Sequence, residues 1–170
     1  MHEPTESPQP ASLVVVDGNG AVELRHDGSP PAVMRERIDA LVEQLLSIPG
    51  SEVSPPVEHT FCDGMYMRKL TVPKGTLAAG KIHRKSCINI VASGDITVLT
   101  EFGCKRVLPG ETGVSHAGSR KVVYAHEDTV FINVFRTEST DIDEVEAELA
   151  CTEHLQVETV ESSTPLLVGE

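Results

Sequence analysis

His83 and Cys87 stand four residues apart, with lysines at 81 and 121 and further histidines at 116 and 126. Each of these types can do chemistry. A thiol beside an imidazole makes a nucleophile–base pair when both point the same way. Imidazole and thiolate are also zinc ligands, so His83, Cys87, His116 and His126 form one conceivable metal set. Two ammonium groups facing one cavity would make it positive and draw in a carboxylate, phosphate or nucleotide. In that arrangement Lys81, His83, Cys87, His116 and Lys121 line the site, and Arg68, Arg84, Lys85 and Arg120 add to its field. The opposing reading turns Lys81 and Lys121 toward Glu127 and Asp128 and leaves His83 and His116 as hydrogen-bonded structural residues. Ser86-Cys87 and Ser115-His116 are sequence neighbours, which a strand sends to opposite faces. His83 and Cys87 share a face if one strand runs through both, but a turn at Arg84-Lys85 would undo that parity. The chain has no Gly-x-Ser-x-Gly elbow and no Walker-type phosphate loop.

The elements that must position these groups are legible from periodicity. Segments rich in Val, Ile and Thr recur from Val57 to Arg136: Tyr66–Val72, Cys87–Val91, Asp95–Thr100, Lys105–Leu108, Lys121–Tyr124 and Thr129–Phe135. Breaks at Pro73-Lys74-Gly75, Ser93-Gly94-Asp95, Glu101-Phe102-Gly103 and Pro109-Gly110 separate them, with no helical pattern between. That spacing predicts a mainly β module, a small antiparallel barrel or sandwich. Ahead of it, Leu13–Val16 and Ala21–Leu24 flank Asp17-Gly18-Asn19-Gly20 and predict a hairpin. Met34, Ile38, Leu41, Val42, Leu45 and Leu46 then recur at helical spacing until Pro49-Gly50. This stripe must bury against the chain itself or a neighbouring subunit, and Met34, Ile38, Leu41 and Leu45 are its candidate interface residues. Beyond the β region, Ser139-Thr140-Asp141 with Glu144 predicts a capped helix to about Leu149. The divisions are 1–11, expected to be disordered; 12–56, a hairpin-and-helix arm ending in a linker from Ser51; 57–136, the barrel; and 137–170, an acidic helix and tail.

The charge follows the same divisions. The whole chain of 170 residues carries a formal −12. Residues 57–136 hold eleven basic and seven acidic side chains, whereas 137–170 hold ten acidic and none basic. Such a balance argues against a duplex-DNA binder, which needs a basic face. No apolar run approaches membrane-spanning length, and the acidic, Pro-rich start does not read as a secretory signal. Four cysteines without a CxxC pair read as reduced thiols in a cytosolic setting.

Within the barrel segment, two stretches resemble the paired motifs of the cupins. Gly75, Lys81-Ile82-His83, Cys87 and Gly94 follow the spacing of the first motif. Gly110, His116-Ala117-Gly118, Lys121 and Ala125 follow that of the second. The resemblance implies a jelly-roll barrel and a homo-oligomer. Cupin metal ligands would fall at Lys81, His83, Cys87 and Lys121, so one standard ligand, His83, survives. It therefore implies no cofactor, the alternative being zinc or another divalent metal on a rearranged set. Gly80–His83 through Asn89-Ile90, with Tyr124–Val130, is also similar to small cupin-like proteins of tailed bacteriophages and prophages. The implied setting is a bacterial host's cytoplasm or a virion, with other virion or assembly proteins as partners. Two functions are carried forward: a non-enzymatic structural or interaction protein, and a binder of small anions or divergent metal-dependent enzyme using the barrel mouth.

Overall fold

The computed structural model describes residues 12–50 and 55–151. The expected disordered start at 1–11, most of the linker and the acidic tail past 151 lie outside the described residues.

The N-terminal arm is as the periodicity predicts. β1 (Val14–Val16) pairs with β2 (Val22–Leu24) in antiparallel register. Asp17 closes the turn, its carboxylate accepting from the backbone N–H groups of Asn19 and Ala21 at 2.8 and 2.9 Å. α1 (Pro31–Leu46) begins with proline in its first turn, where a missing N–H costs nothing.

The barrel strands are β3 (Val57–Cys62), β4 (Met65–Val72), β5 (Leu77–Ala79), β6 (Ile82–His83), β7 (Cys87–Ser93), β8 (Ile96–Thr100), β9 (Gly103–Val107), β10 (Thr112–Ser115), β11 (Lys121–Ala125) and β12 (Thr129–Arg136). One sheet runs β10-β7-β12-β4-β3 and the facing sheet β5-β11-β8-β9, with antiparallel pairing throughout. Setting β3 and β6 aside, eight strands divide between two four-stranded sheets, the chain crossing from one to the other at every step but β8 to β9, which is jelly-roll topology. Gly94 marks where the sheets join. Its φ is +94°, and a Cβ there would strike the Asp128–Thr129 backbone.

Alternation along the strands builds the interior in layers. At the base, Leu70, Val91, Ile96, Val98, Val107, Val123 and Phe131 form a closed apolar cluster. On the outside of the β5-β11-β8-β9 sheet, Leu99 and Val122 are covered by Leu13, Leu24, Met34, Ile38 and Val42 of the N-terminal arm. Met34 and Ile38 have no exposed surface. This corrects their assignment as interface residues: a stripe bent on covering apolar surface finds it on its own barrel. Leu41 and Leu45 are half-buried on the same helix.

α2 (Ile142–Leu149) is capped by Asp141, whose carboxylate accepts from the Glu144 N–H at 3.0 Å. It lies across the open end of the barrel, with Val145 and Leu149 packed on Tyr66, Cys87 and Phe135. Immediately after it, β13 (Ala150–Cys151) pairs with β6. Among the described residues no helix is long and apolar enough to cross a membrane.

Candidate functional site

Register across the first sheet sorts the inward side chains into rows. Val57, Leu70, Phe131 and Val91 stand opposite one another and form part of the apolar base. One row toward the open end, His59, Arg68, Asn133 and Asn89 face each other across four strands. The next row carries Phe61, Tyr66 and Phe135, with Cys87 opposite Ser115 at its far side. A polar belt thus lies between an apolar base and an apolar cap.

Lys121 enters this belt from the facing sheet. Its side chain is 1% exposed and its ammonium donates to Ser115 Oγ. Asn89 Nδ2 donates to the same oxygen at 2.7 Å, and Asn133 Nδ2 donates to Asn89 Oδ1 at 2.6 Å. The Cys87 thiol donates to Asn89 Oδ1 at 3.4 Å and lies 3.7 Å from His83 Nδ1. His83, Asn89, Ser115 and Asn133 are all buried. Each makes bonds inside the barrel, as burial of polar groups requires.

Burial governs the protonation of this cluster. Removal from water pulls Lys121 down to about 8, opposed by the Glu101 carboxylate and, once ionised, by the Cys87 thiolate. The Cys87 thiol is pushed up by burial, with Lys121, Ser115 and Asn89 working the other way. The thiol form therefore holds near neutrality, and Cys87 with His83 does not make an activated nucleophile.

The five residues expected at the barrel mouth are only partly brought together. His83, Cys87 and Lys121 meet in the interior. Lys81 is exposed, and borders a cavity of about 10 Å³ together with Tyr66, Arg68, His83, Phe135, Glu146, Leu149 and Ala150. His116 sits half-buried past the end of β10, with Nε2 buried and unbonded. His126 belongs elsewhere. It lies 2.7 Å from Thr97 Oγ1 and edge-on to Tyr124, on the outer side of the β5-β11-β8-β9 sheet.

That placement overturns the rearranged metal set. Strand alternation puts His126 on the face opposite Lys121, and among the described residues no three His, Cys, Asp or Glu side chains converge. At the positions where the fold family would hold a metal, the donor set is one imidazole, one protonated thiol and two lysines. It does not fit a divalent cation. Arg84 and Lys85 are exposed, Lys85 pairing with Glu148 of α2. Arg120 turns away from the mouth to bond Asp39 at 2.8 Å. Lys74, not Lys121, is the partner of Glu127.

Asn89, Ser115 and Asn133 were not among the expected site residues. The available signal is an asparagine at the inward parity of an apolar strand, in Cys87–Val91 and again in Thr129–Phe135. Arg68 had been placed only as a contributor to the field, although its parity with Tyr66 and Leu70 turns it inward.

Fold and site together define a small antiparallel jelly-roll barrel with a polar interior. Solved structures similar to this chain include a cupin superfamily protein from Desulfitobacterium hafniense DCB-2, at TM-score 0.44 and 8% identity over 54% of this chain and 84% of that one. A Cupin 2 conserved barrel domain protein from Salinispora arenicola is similar at TM-score 0.43 and 15% identity, over 55% and 82% of the two chains. KdgF from a Halomonas species is similar at TM-score 0.44 and 19% identity, over 51% and 81%. No family profile and no curated protein matches the chain.

Proposed function

We propose that this chain is a non-enzymatic, cupin-like scaffold that associates with a second copy of itself through the bare outer face of its larger sheet. The carrying observation is the contrast between the two outer faces. The N-terminal arm covers one. The other presents Met65, Met67, Ile88, Ile90, Val114, Ile132 and Val134, of which Met65 and Ile88 are half exposed.

Register makes this patch contiguous: Val114, Ile88, Val134 and Met67 face one another across four strands, beside Ile90 and Ile132. A shallow depression of about 310 Å³ lies among Met65, Ile88, Val114 and Val134. Charges at its rim balance, Lys69 with Glu58 at 3.0 Å and Arg136 with Glu138 at 3.4 Å. Two copies related by a twofold axis therefore bring apolar surface onto apolar surface without adding like charge, despite the formal −12 of each chain. Sheets pack face to face in this way in sandwiches. Incorporation into a larger assembly, a virion among them, would engage the same face.

Light scattering coupled to size exclusion tests the reading. Wild type is expected at a multiple of 18.3 kDa, and Ile88→Lys with Val134→Lys at the monomer mass with unchanged β circular dichroism. A monomeric wild type, or an oligomer that survives both lysines, overturns it.

A further inference from the structure

Sulfur is concentrated at one corner of the larger sheet, on its outer face. We propose that Cys62, Met65 and Met67 form a binding site there for a soft monovalent metal ion, copper(I).

One hairpin places the three sulfur side chains. β3 ends at Cys62 and β4 begins at Met65, with only Asp63-Gly64 between them. Both turn residues have positive φ, +42° and +77°, as the tightest hairpin turn requires. Cys62 therefore stands directly opposite Met65, and side chains so paired have Cβ atoms about 5 Å apart on one face. Met67, two residues along β4, returns to that face. Its diagonal separation from Cys62, about 7–8 Å, is within reach of a side chain with three rotatable bonds. The corner is also anchored. The Thr137 N–H donates to the Gly64 carbonyl at 3.0 Å, which pins the turn beside the end of β12.

The donor set selects the ion. One thiolate and two thioethers are soft ligands, and such ligands favour copper(I) over harder divalent ions. The thiolate carries a single negative charge, so an ion of charge +1 leaves the site neutral. Zinc needs further imidazole, thiolate or carboxylate ligands, and among the described residues no three His, Cys, Asp or Glu side chains gather. His59, on the same strand as Cys62, faces inward instead, its Nδ1 2.7 Å from the Tyr66 hydroxyl.

Access needs no opening of the fold. Cys62 is exposed, Met65 is half exposed and Met67 is half-buried. The other described thiols are occupied elsewhere. Cys87 is buried, and Cys104 donates to the Leu24 carbonyl at 3.2 Å.

Anaerobic titration of the reduced full chain with copper(I), in competition with the chromogenic chelator bicinchoninate, tests the site. Wild type is expected to withdraw one equivalent more than Cys62→Ser. Met65→Leu with Met67→Leu keeps the thiol and the apolar bulk, and is expected to hold that equivalent at least about tenfold more weakly. Absence of a Cys62-dependent equivalent overturns the site, as does unchanged affinity in the double leucine variant, since a bare thiol then suffices. Alkylation by iodoacetamide locates the ion. Copper(I) is expected to slow reaction at Cys62 severalfold in wild type but not in the double leucine variant, and equal protection of the two overturns the site. Ile88→Lys with Val134→Lys, which removes the apolar sheet pairing proposed above, is expected to bind copper(I) at least as tightly as wild type. Loss of pairing and loss of metal are thereby read separately, and loss of the ion in that variant alone overturns a site held within one hairpin.

Discussion

The two helices that flank the barrel do opposite kinds of work. α1 spans sixteen residues and buries Met34, Ile38 and Val42 against the outer sheet face. It is also tied down by buried charge. Arg35 reaches Glu101 at 3.2 Å and the Gly118 carbonyl at 2.7 Å, while its Nε bonds Asp39, which in turn holds Arg120. α2 spans eight residues, buries two apolar side chains and otherwise relies on the part-buried Thr137–Glu148 bond, an exposed ion pair and backbone contacts. The first closes a surface that nothing needs to enter. The second closes the only chamber, among the described residues, where a buried lysine, serine, thiol and imidazole meet. Stability is spread accordingly, since regions with few buried contacts open first and at least cost.

The largest effect expected from this contrast is at the α1 clasp. Arg35 and Glu101 have side-chain exposures of 9% and 0%, and burial already pushes the Glu101 carboxyl up. Removing Arg35 strands that carboxylate, so Arg35→Ala is expected to cost about 3–5 kcal/mol in urea unfolding. A loss below about 1 kcal/mol would erase the distinction between the two helices.

The chamber is expected to behave in the opposite sense. Lys121 titrates at about 8 when folded, against 10.5 for a free lysine. Between those values the unfolded chain binds more protons, so this group makes stability rise as pH rises through that window. Below pH 8 both states are protonated and the fold carries the full cost, about 3 kcal/mol. Lys121→Met is therefore expected to stabilise the protein at pH 7, less the lost Ser115 bond, with the gain fading toward pH 10.5. Urea midpoints at pH 7, 9 and 10.5 measure it. A destabilised variant with no pH trend would mean that the lysine is a structural strut like Arg35.

The sequence disclosed these regions unequally, for physical reasons. The arm and the longer strands were readable because their apolar periods are strong, and α2 because Asp141 and Glu144 form a capping pair. The fold class followed from turn spacing. β3, β5, β6 and β10 were not anticipated: they are short, or broken by lysine, histidine and glycine, and acquire strand character only by pairing. The convergence of His83, Cys87 and Lys121 was legible from the spacing of the resembled motifs, parity relating only His83 to Cys87. Lys81 and His126 were grouped with them because spacing along a chain does not say which sheet face a residue occupies after a turn. The use of Met34 and Ile38 could not be settled either, because an amphipathic stripe fits its own barrel as well as a neighbour. What covers the chamber was hidden most deeply. Nothing local in Ile142–Leu149 tells a surface helix from a cap, and that distinction rests on contacts with Tyr66 and Cys87, which belong to strands far earlier in the chain.

The smallest effect discriminates most finely between the helices. Leu149→Ala and Ile38→Ala remove the same kind of buried aliphatic surface, one from each helix. At the cap, the neighbouring backbone can settle, so Leu149→Ala is expected near the low end of such substitutions, about 2 kcal/mol. If α2 opens as a unit, that loss falls on the opening step and raises the open population roughly thirtyfold. Cys87, buried beneath Leu149, should then be alkylated faster by a similar factor under native conditions. Ile38→Ala is expected to cost at least as much in urea, yet leave Cys87 alkylation within about twofold, because α1 does not stand over the thiol. Peptide mapping of alkylated Cys87 against exposed Cys62 reads both variants on one scale. Equal acceleration would mean that the barrel opens only by global unfolding, and α2 would then be a second clasp and no lid.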